Sequence, residues 1–282
     1  MIFIAAISHN WKVEGQNGKE RALSLIEAAC SSGADVIEFT LFDRLYRDEN
    51  RQEIVGPYIL PEEWLKELAD RTREGGRQFA LNLFDPIGLP ITPDYYSVDS
   101  YNITMRPLLE SIGNKDKPIF LSTGSATYQE IDNAIEILRP GEEAPDDLFL
   151  FHFANGTSLE DLNLRRILDL GMEFFPLRTG YEASVVSPWL VASTALFDTQ
   201  FIKVLFDLED QKGVHSGISE GDTNRSYTPS KFRELVVATQ AFERARECGC
   251  SMPYPDLVMR STHRRDPEDW LRPSRVEDEE II

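Results

Sequence analysis

Two residues of opposite charge, Glu38 and Lys203, stand inside otherwise apolar runs, Val36-Ile37-Glu38-Phe39 and Ile202-Lys203-Val204-Leu205. An ionisable group in such a run is either neutralised by a partner or held at a shifted pKa. The first case is a buried salt bridge that fills a core. The second is a desolvated base, or a lysine poised as a Schiff-base nucleophile. Glu182 follows Arg178 by four residues, a spacing that would pair them in a helix or let them clamp a substrate from a loop. Asn82, Asn102 and Asn155 offer neutral hydrogen bonds suited to a sugar or amide. Ser122-Thr123-Gly124 reads as a turn whose backbone N–H groups bind an anion or hydroxyl, or as the turn that starts a helix. His9 and Asn10 follow an apolar run and read either as ligand contacts or as packed core.

These residues form one site only if the chain gathers the ends of several strands. Short apolar runs alternate with amphipathic stretches, the pattern of parallel strands joined by helical crossovers. Eight strands are predicted near residues 2–7, 35–40, 78–82, 96–100, 118–121, 148–152, 173–176 and 200–206. That count fits a parallel (β/α)8 TIM barrel of the α/β class, whose working residues sit at the carboxyl ends of the strands. Alternation then places Lys203 on an inner face with Leu205 and Asp207, and Glu38 with Val36 and Thr40. Both strands flank strand one, so the two charges face each other. Glu182 falls in the loop after strand seven.

Helix starts are marked by the capping-box spacing of Thr127 to Glu130 and Ser158 to Asp161. The last helix starts at Thr228-Pro229 and presents Phe232, Leu235, Val236, Thr239 and Phe242 on one face. Residues 86–93 hold three prolines and a glycine, so the third crossover is expected to lack a full helix. One barrel domain over residues 1–250 and an irregular charged tail over 251–282 are expected. The tail's Arg260, His263, Arg264, Arg265, Arg272 and Arg275 either neutralise an acidic surface or fold over the barrel mouth.

The 282 residues carry a formal charge of −19, which disfavours nucleic acid and anionic membranes as partners. No apolar stretch approaches the ~20 residues that span a bilayer, and Met1–Ile7 reads as a first buried strand, so the cytoplasm is the expected compartment. Three cysteines, Cys30, Cys248 and Cys250, suggest reduced thiols, and no second ligand pair makes Cys248-Gly249-Cys250 a zinc site.

Several segments in order resemble the sialic acid synthase family. Ser8-His9-Asn10 resembles its Asn-His-Asn, and Gly33-Ala34-Asp35-Val36-Ile37-Glu38-Phe39-Thr40 its Gly-Ala-Asp-Ala-Val-Lys-Phe-Gln. Asn82-Leu83-Phe84-Asp85, Arg106-Pro107-Leu108-Leu109, Lys117 through Thr127, Glu160 through Leu164, Gly180-Tyr181 and Ser226-Tyr227-Thr228-Pro229 continue the register over residues 2–245. The resemblance implies a barrel that condenses phosphoenolpyruvate with an N-acetylmannosamine-type sugar using a divalent metal. It also identifies departures. The metal-ligand positions carry Ser184 and Leu205, and leucine cannot bind a metal. The strand-two lysine is Glu38, a lysine and a glutamate around strand four are Ser97 and Asn102, and the first-strand glutamate is Ile4. The family's carboxy-terminal antifreeze-like domain has no counterpart in the tail.

The resemblance therefore implies a divergent barrel of carbohydrate biosynthesis, for nonulosonic or related sugar acids, that uses no metal or other cofactor. Its partner would be a small-molecule sugar or sugar acid. Any retained activity would be aldolase-type carbon–carbon bond chemistry. The alternatives are a non-catalytic relative that regulates a partner synthase, and an active phosphoenolpyruvate-dependent synthase with rearranged ligands.

Overall fold

The computed structural model describes residues 1–41, 58–86, 88–141, 145–154, 156, 158–208 and 225–246. Eight parallel strands close on themselves in sequence order: β1 (Ile2–Ile7), β2 (Val36–Leu41), β3 (Gln78–Leu83), β4 (Tyr95–Val98), β5 (Ile119–Ser122), β6 (Leu148–Phe153), β7 (Arg178–Ala183) and β8 (Phe201–Leu205). Closure pairs the first strand with the last, Ile4 opposite Lys203, so no sheet edge is left open. The expected (β/α)8 TIM barrel is the fold of this chain.

Seven α-helices occur among the described residues: α1 (Gly18–Ser32), α2 (Leu65–Glu74), α3 (Arg106–Gly113), α4 (Tyr128–Leu138), α5 (Arg166–Glu173), α6 (Pro188–Ala192) and α7 (Pro229–Arg246). Asn17 caps α1 by accepting from the Lys19 and Glu20 N–H groups. Gly33 ends it at φ +97°, a conformation open to glycine because it lacks Cβ. Thr127 and Glu130 form the expected capping box on α4. Ser158 does accept from the Asp161 N–H at 3.3 Å, but it starts a 3-10 turn, and α5 begins only at Arg166. No helix separates β3 from β4 among the described residues of the proline-rich crossover.

The barrel interior is layered by alternation. Ile4, Val36, Ala80, Phe120, Phe149, Phe151 and Phe201 form one buried cluster, with the Phe120 ring 5.2–5.8 Å from those of Phe149, Phe151 and Phe201. Gly180 admits this packing, since a Cβ there would come 2.7 Å from the Phe151 ring. Outside the barrel, Phe232 of α7 meets Phe3 and Phe206 edge-on, at 6.3 and 5.5 Å. Leu235, Ala238 and Thr239 are buried on the same helix.

Strand seven departs from the expectation of residues 173–176. Phe174-Phe175-Pro176 is apolar enough to suggest a strand, yet α5 runs to Glu173 and Phe175 is 82% exposed. The true strand, Arg-Thr-Gly-Tyr-Glu-Ala, hides its identity because its inner face carries Arg178, Gly180 and Glu182 in place of aliphatic residues. Residues 1–240 form one compact unit and 241–282 another. The latter is described only as the end of α7, so the tail and its arginines lie outside the described residues. No described helix is long and apolar enough to cross a membrane.

Candidate active site at the barrel mouth

β8 carries Lys203 two residues beyond Phe201, and alternation sends both side chains inward. Lys203 Nζ lies 2.7 Å from Glu38 Oε1 on β2, 3.6 Å from Glu182 Oε1 on β7 and 3.5 Å from Ser97 Oγ on β4. The Lys203 and Glu38 side chains are 5% and 1% exposed. Ser122, the last residue of β5, donates its hydroxyl to Glu182 Oε2. Four strands thus meet at one ammonium above the phenylalanine layer, and β5 joins them through Glu182.

Sequence reasoning missed a third carboxylate, Asp99. It follows β4 and caps the next 3-10 turn by accepting from the Tyr101 N–H at 3.0 Å. Ser97 and Asp99 are two residues apart, so alternation along the strand predicted at 96–100 carried the signal. Burial pushes the Asp99 carboxyl up to about 6; Glu182 and Glu38 push it the same way, while the Tyr101 N–H and Lys203 oppose them. Burial raises Glu38 as well, against the pull of Lys203. For Lys203 burial alone favours the neutral amine, but Glu182, Glu38 and Asp99 outweigh it and raise the group above its ordinary value. With three carboxylates around one amine, the proton stays on Lys203. A lysine so held is a weak nucleophile, which argues against the Schiff-base role. What the cluster can do is present ionised oxygens to a ligand and exchange a proton near neutrality through Asp99.

Around this cluster the other residues divide. Asn82, on the inner face of β3 and 4% exposed, has no partner for Oδ1 among the described residues, and Asn102 has none for Nδ2. Both leave hydrogen-bonding capacity at the carboxyl ends of the strands. His9 follows β1, within 3.2 Å of Ser8 Oγ through Nδ1 and edge-on to the Tyr58 ring at 5.6 Å. Asn155 lies outside the described residues.

Asn10 is tied into the fold, its Nδ2 donating to the Phe206 carbonyl at 2.5 Å and its own carbonyl accepting from Arg21 Nε at 2.7 Å, while its buried Oδ1, like that of Asn82, has no partner among the described residues. Arg21 also pairs with Asp207 at 2.6 Å, both side chains buried, which ties the loop after β1 to the end of β8. Two other expected ligand contacts are corrected. Thr123 is fully buried and donates its hydroxyl to the Phe151 carbonyl at 3.0 Å. Arg178 opens β7 at the amino end of the barrel, its guanidinium 4.4 Å from the Phe149 ring centroid and donating to the Asp146 carbonyl. It therefore neither clamps substrate nor pairs with Glu182. Glu182 itself lies within β7, not in the loop after it.

Residues 25–250 match the NeuB family. The chain belongs to that family. SpsE, a spore coat polysaccharide biosynthesis protein of Bacillus subtilis, is 27% identical over 92% of this chain and 72% of its own length. The N,N'-diacetyllegionaminic acid synthase of Legionella pneumophila is 28% identical over 99% of this chain and 83% of its own. The fold matches the crystal structure of a sialic acid synthetase from Leptospira borgpetersenii with a TM-score of 0.76 at 20% identity, covering 94% of this chain and 93% of that one. This NeuB chain is similar to proteins of carbohydrate biosynthesis.

The positions that the resemblance gives to metal ligands do not fit a metal here. Ser184 donates its hydroxyl to the Gly156 carbonyl at 2.9 Å, and Leu205 has no donor atom. Among the described residues no group of three or more His, Cys, Asp or Glu is arranged to hold an ion.

Proposed function

We propose that this NeuB barrel binds a carbohydrate of sugar-acid biosynthesis at its mouth and does not perform metal-dependent condensation of phosphoenolpyruvate. The observation that carries this reading is the Lys203 ammonium held by Glu38 and Glu182, with glutamate where the resemblance calls for a substrate-binding lysine. At ~4 Å and an effective dielectric near 20, a unit charge pair is worth roughly 4 kcal/mol of either sign. Glu38 is itself neutralised by Lys203 at 2.7 Å, and loss of the attraction alone would weaken a bound anion by about three powers of ten. Asn82, Asn102, Ser97 and Ser122 supply neutral hydrogen bonds suited to sugar hydroxyls, and Asp99 supplies a carboxyl whose pKa of about 6 suits proton transfer. The similarity to a spore coat polysaccharide biosynthesis protein and to an N,N'-diacetyllegionaminic acid synthase supports the carbohydrate class.

The test is phosphate release from phosphoenolpyruvate with N-acetylmannosamine and manganese. No release above the protein-free blank is expected, and robust manganese-dependent release overturns the proposal. The retained ammonium also favours a second reading, a non-catalytic barrel that binds a sugar and regulates a partner synthase. Co-purification with a catalytic synthase supports it, and turnover of a sugar acid by the isolated protein refutes it.

A further inference from the structure

Two carboxylates, Glu38 and Glu182, share the ammonium of Lys203 at the barrel mouth, and Asp99 is near enough to interact electrostatically with all three. That ammonium sits 2.7 Å from Glu38 but 3.6 Å from Glu182, and Glu182 is the more exposed of the two, at 17% against 1%. Negative charge is therefore left over on the side of the cluster that faces outward. Independently, Asn82 on β3 is 4% exposed with an unpartnered amide oxygen, and it sits opposite Ser97 in the β3–β4 register. Ser97 touches Lys203, so this free acceptor borders the same cluster. A buried amide oxygen without a partner is costly unless something donates to it.

We infer that the mouth has a subsite for a protonated amine, so that the carbohydrate it takes is an amino sugar with a free amino group. This deepens, and rests on, the carbohydrate reading above. An ammonium suits the cluster better than a metal ion does. It carries one unit of charge and only donates, which matches acceptor oxygens such as the Glu182 carboxylate and the Asn82 amide, whereas a divalent ion calls for about six oxygens around it. Among the described residues no group of three or more His, Cys, Asp or Glu is arranged to hold such an ion. Lys203 already demonstrates that an amine is stable among these carboxylates. An N-acetylated sugar has no charge to offer, and a neutral hexose lacks the nitrogen altogether.

The test is calorimetric or saturation-transfer titration of the full chain with D-mannosamine, N-acetyl-D-mannosamine and D-mannose near neutral pH. D-mannosamine is expected to bind about tenfold more tightly than the other two, the ratio given by ~1.4 kcal/mol. Glu182→Gln, which keeps a group able to accept from Ser122, is expected to bring that ratio close to one. Asp99→Asn serves as the second variant should Glu182→Gln fail to give a wild-type melting profile. Equal affinity for all three sugars overturns the inference and leaves the carbohydrate reading standing. A preference for D-mannosamine that survives both substitutions also overturns it, because the amine is then held elsewhere. Absence of binding by all three overturns the inference and the carbohydrate reading together.

Discussion

Replacing Lys203 with methionine, a near-isosteric neutral chain, removes its ammonium from the barrel interior. Glu38, 1% exposed, is then left without its 2.7 Å partner. Breaking a buried pair from one side destabilises by about 3–5 kcal/mol, because the surviving charge stays desolvated. In a chain of this size 1 kcal/mol moves the melting temperature by roughly 2–4 °C, so Lys203→Met is expected to melt about 10 °C lower at neutral pH. The deficit has a defined pH dependence. The folded-state pKa of Glu38 lies above its ordinary value of 4.5, so this carboxyl takes up a proton on folding and stability falls as pH rises above 4.5. Removing the ammonium raises that pKa further and widens the interval. The gap between variant and wild type should therefore shrink toward pH 4.5 and grow above it. Lys203 adds no slope of its own near neutrality, since its raised pKa confines proton loss to the far alkaline range. Thermal unfolding across this range, with Lys203→Met, Glu38→Gln and the double variant, completes the cycle. The double variant should recover most of the loss. A single variant within about 2 °C of wild type at neutral pH, or a double variant no better than Lys203→Met, would refute the account of the buried pair.

Asp99→Asn should stabilise the fold at neutral pH, because a carboxyl raised from 3.8 to about 6 opposes folding once both states are ionised. The linkage bound is about 3 kcal/mol, reduced by its partial exposure, and the gain should vanish below pH 4, as urea titration at several pH values would measure. Asparagine keeps the capping role, so a destabilised variant would contradict the assignment. Gly180→Ala should lower stability by about 1–3 kcal/mol through overpacking against Phe151. Adding Phe151→Leu should return part of it in the same unfolding assay, and no change on either substitution would show that the barrel interior is loosely packed.

Alternation carried most of the fold. Where strands hold Val36, Phe79, Phe120 or Leu150 the apolar runs mark them, and Lys203 and Glu38 could be aimed at one another from their neighbours alone. β7 escaped because its inner face is a cation, a glycine and a carboxylate, a composition that reads as loop when burial is unknown. A strand at 173–176 puts Arg178 beyond its carboxyl end, whereas the strand Arg178–Ala183 puts it at the amino end of the barrel. Asp99 was overlooked for a different reason: an aspartate before a turn is ordinarily a cap, and its second role emerges only when β2, β7 and β8 bring three other charges beside it. Thr123 reads as a ligand contact because polar residues near strand ends are common to both roles. Its hydrogen bonds from hydroxyl and backbone N–H to the Phe151 carbonyl separate the two.

The contact between Arg21 and Asp207 joins residues 186 positions apart, and β1 finds its second neighbour only in β8. During synthesis, β1 must therefore wait with one unpaired edge until the last strand emerges, since nothing earlier in the chain supplies its partner. The assembly of this barrel is consequently governed by its final quarter. A nascent chain stalled before Phe201 would expose two strand edges and an unneutralised Arg21, an intermediate that a cell must shield from self-association.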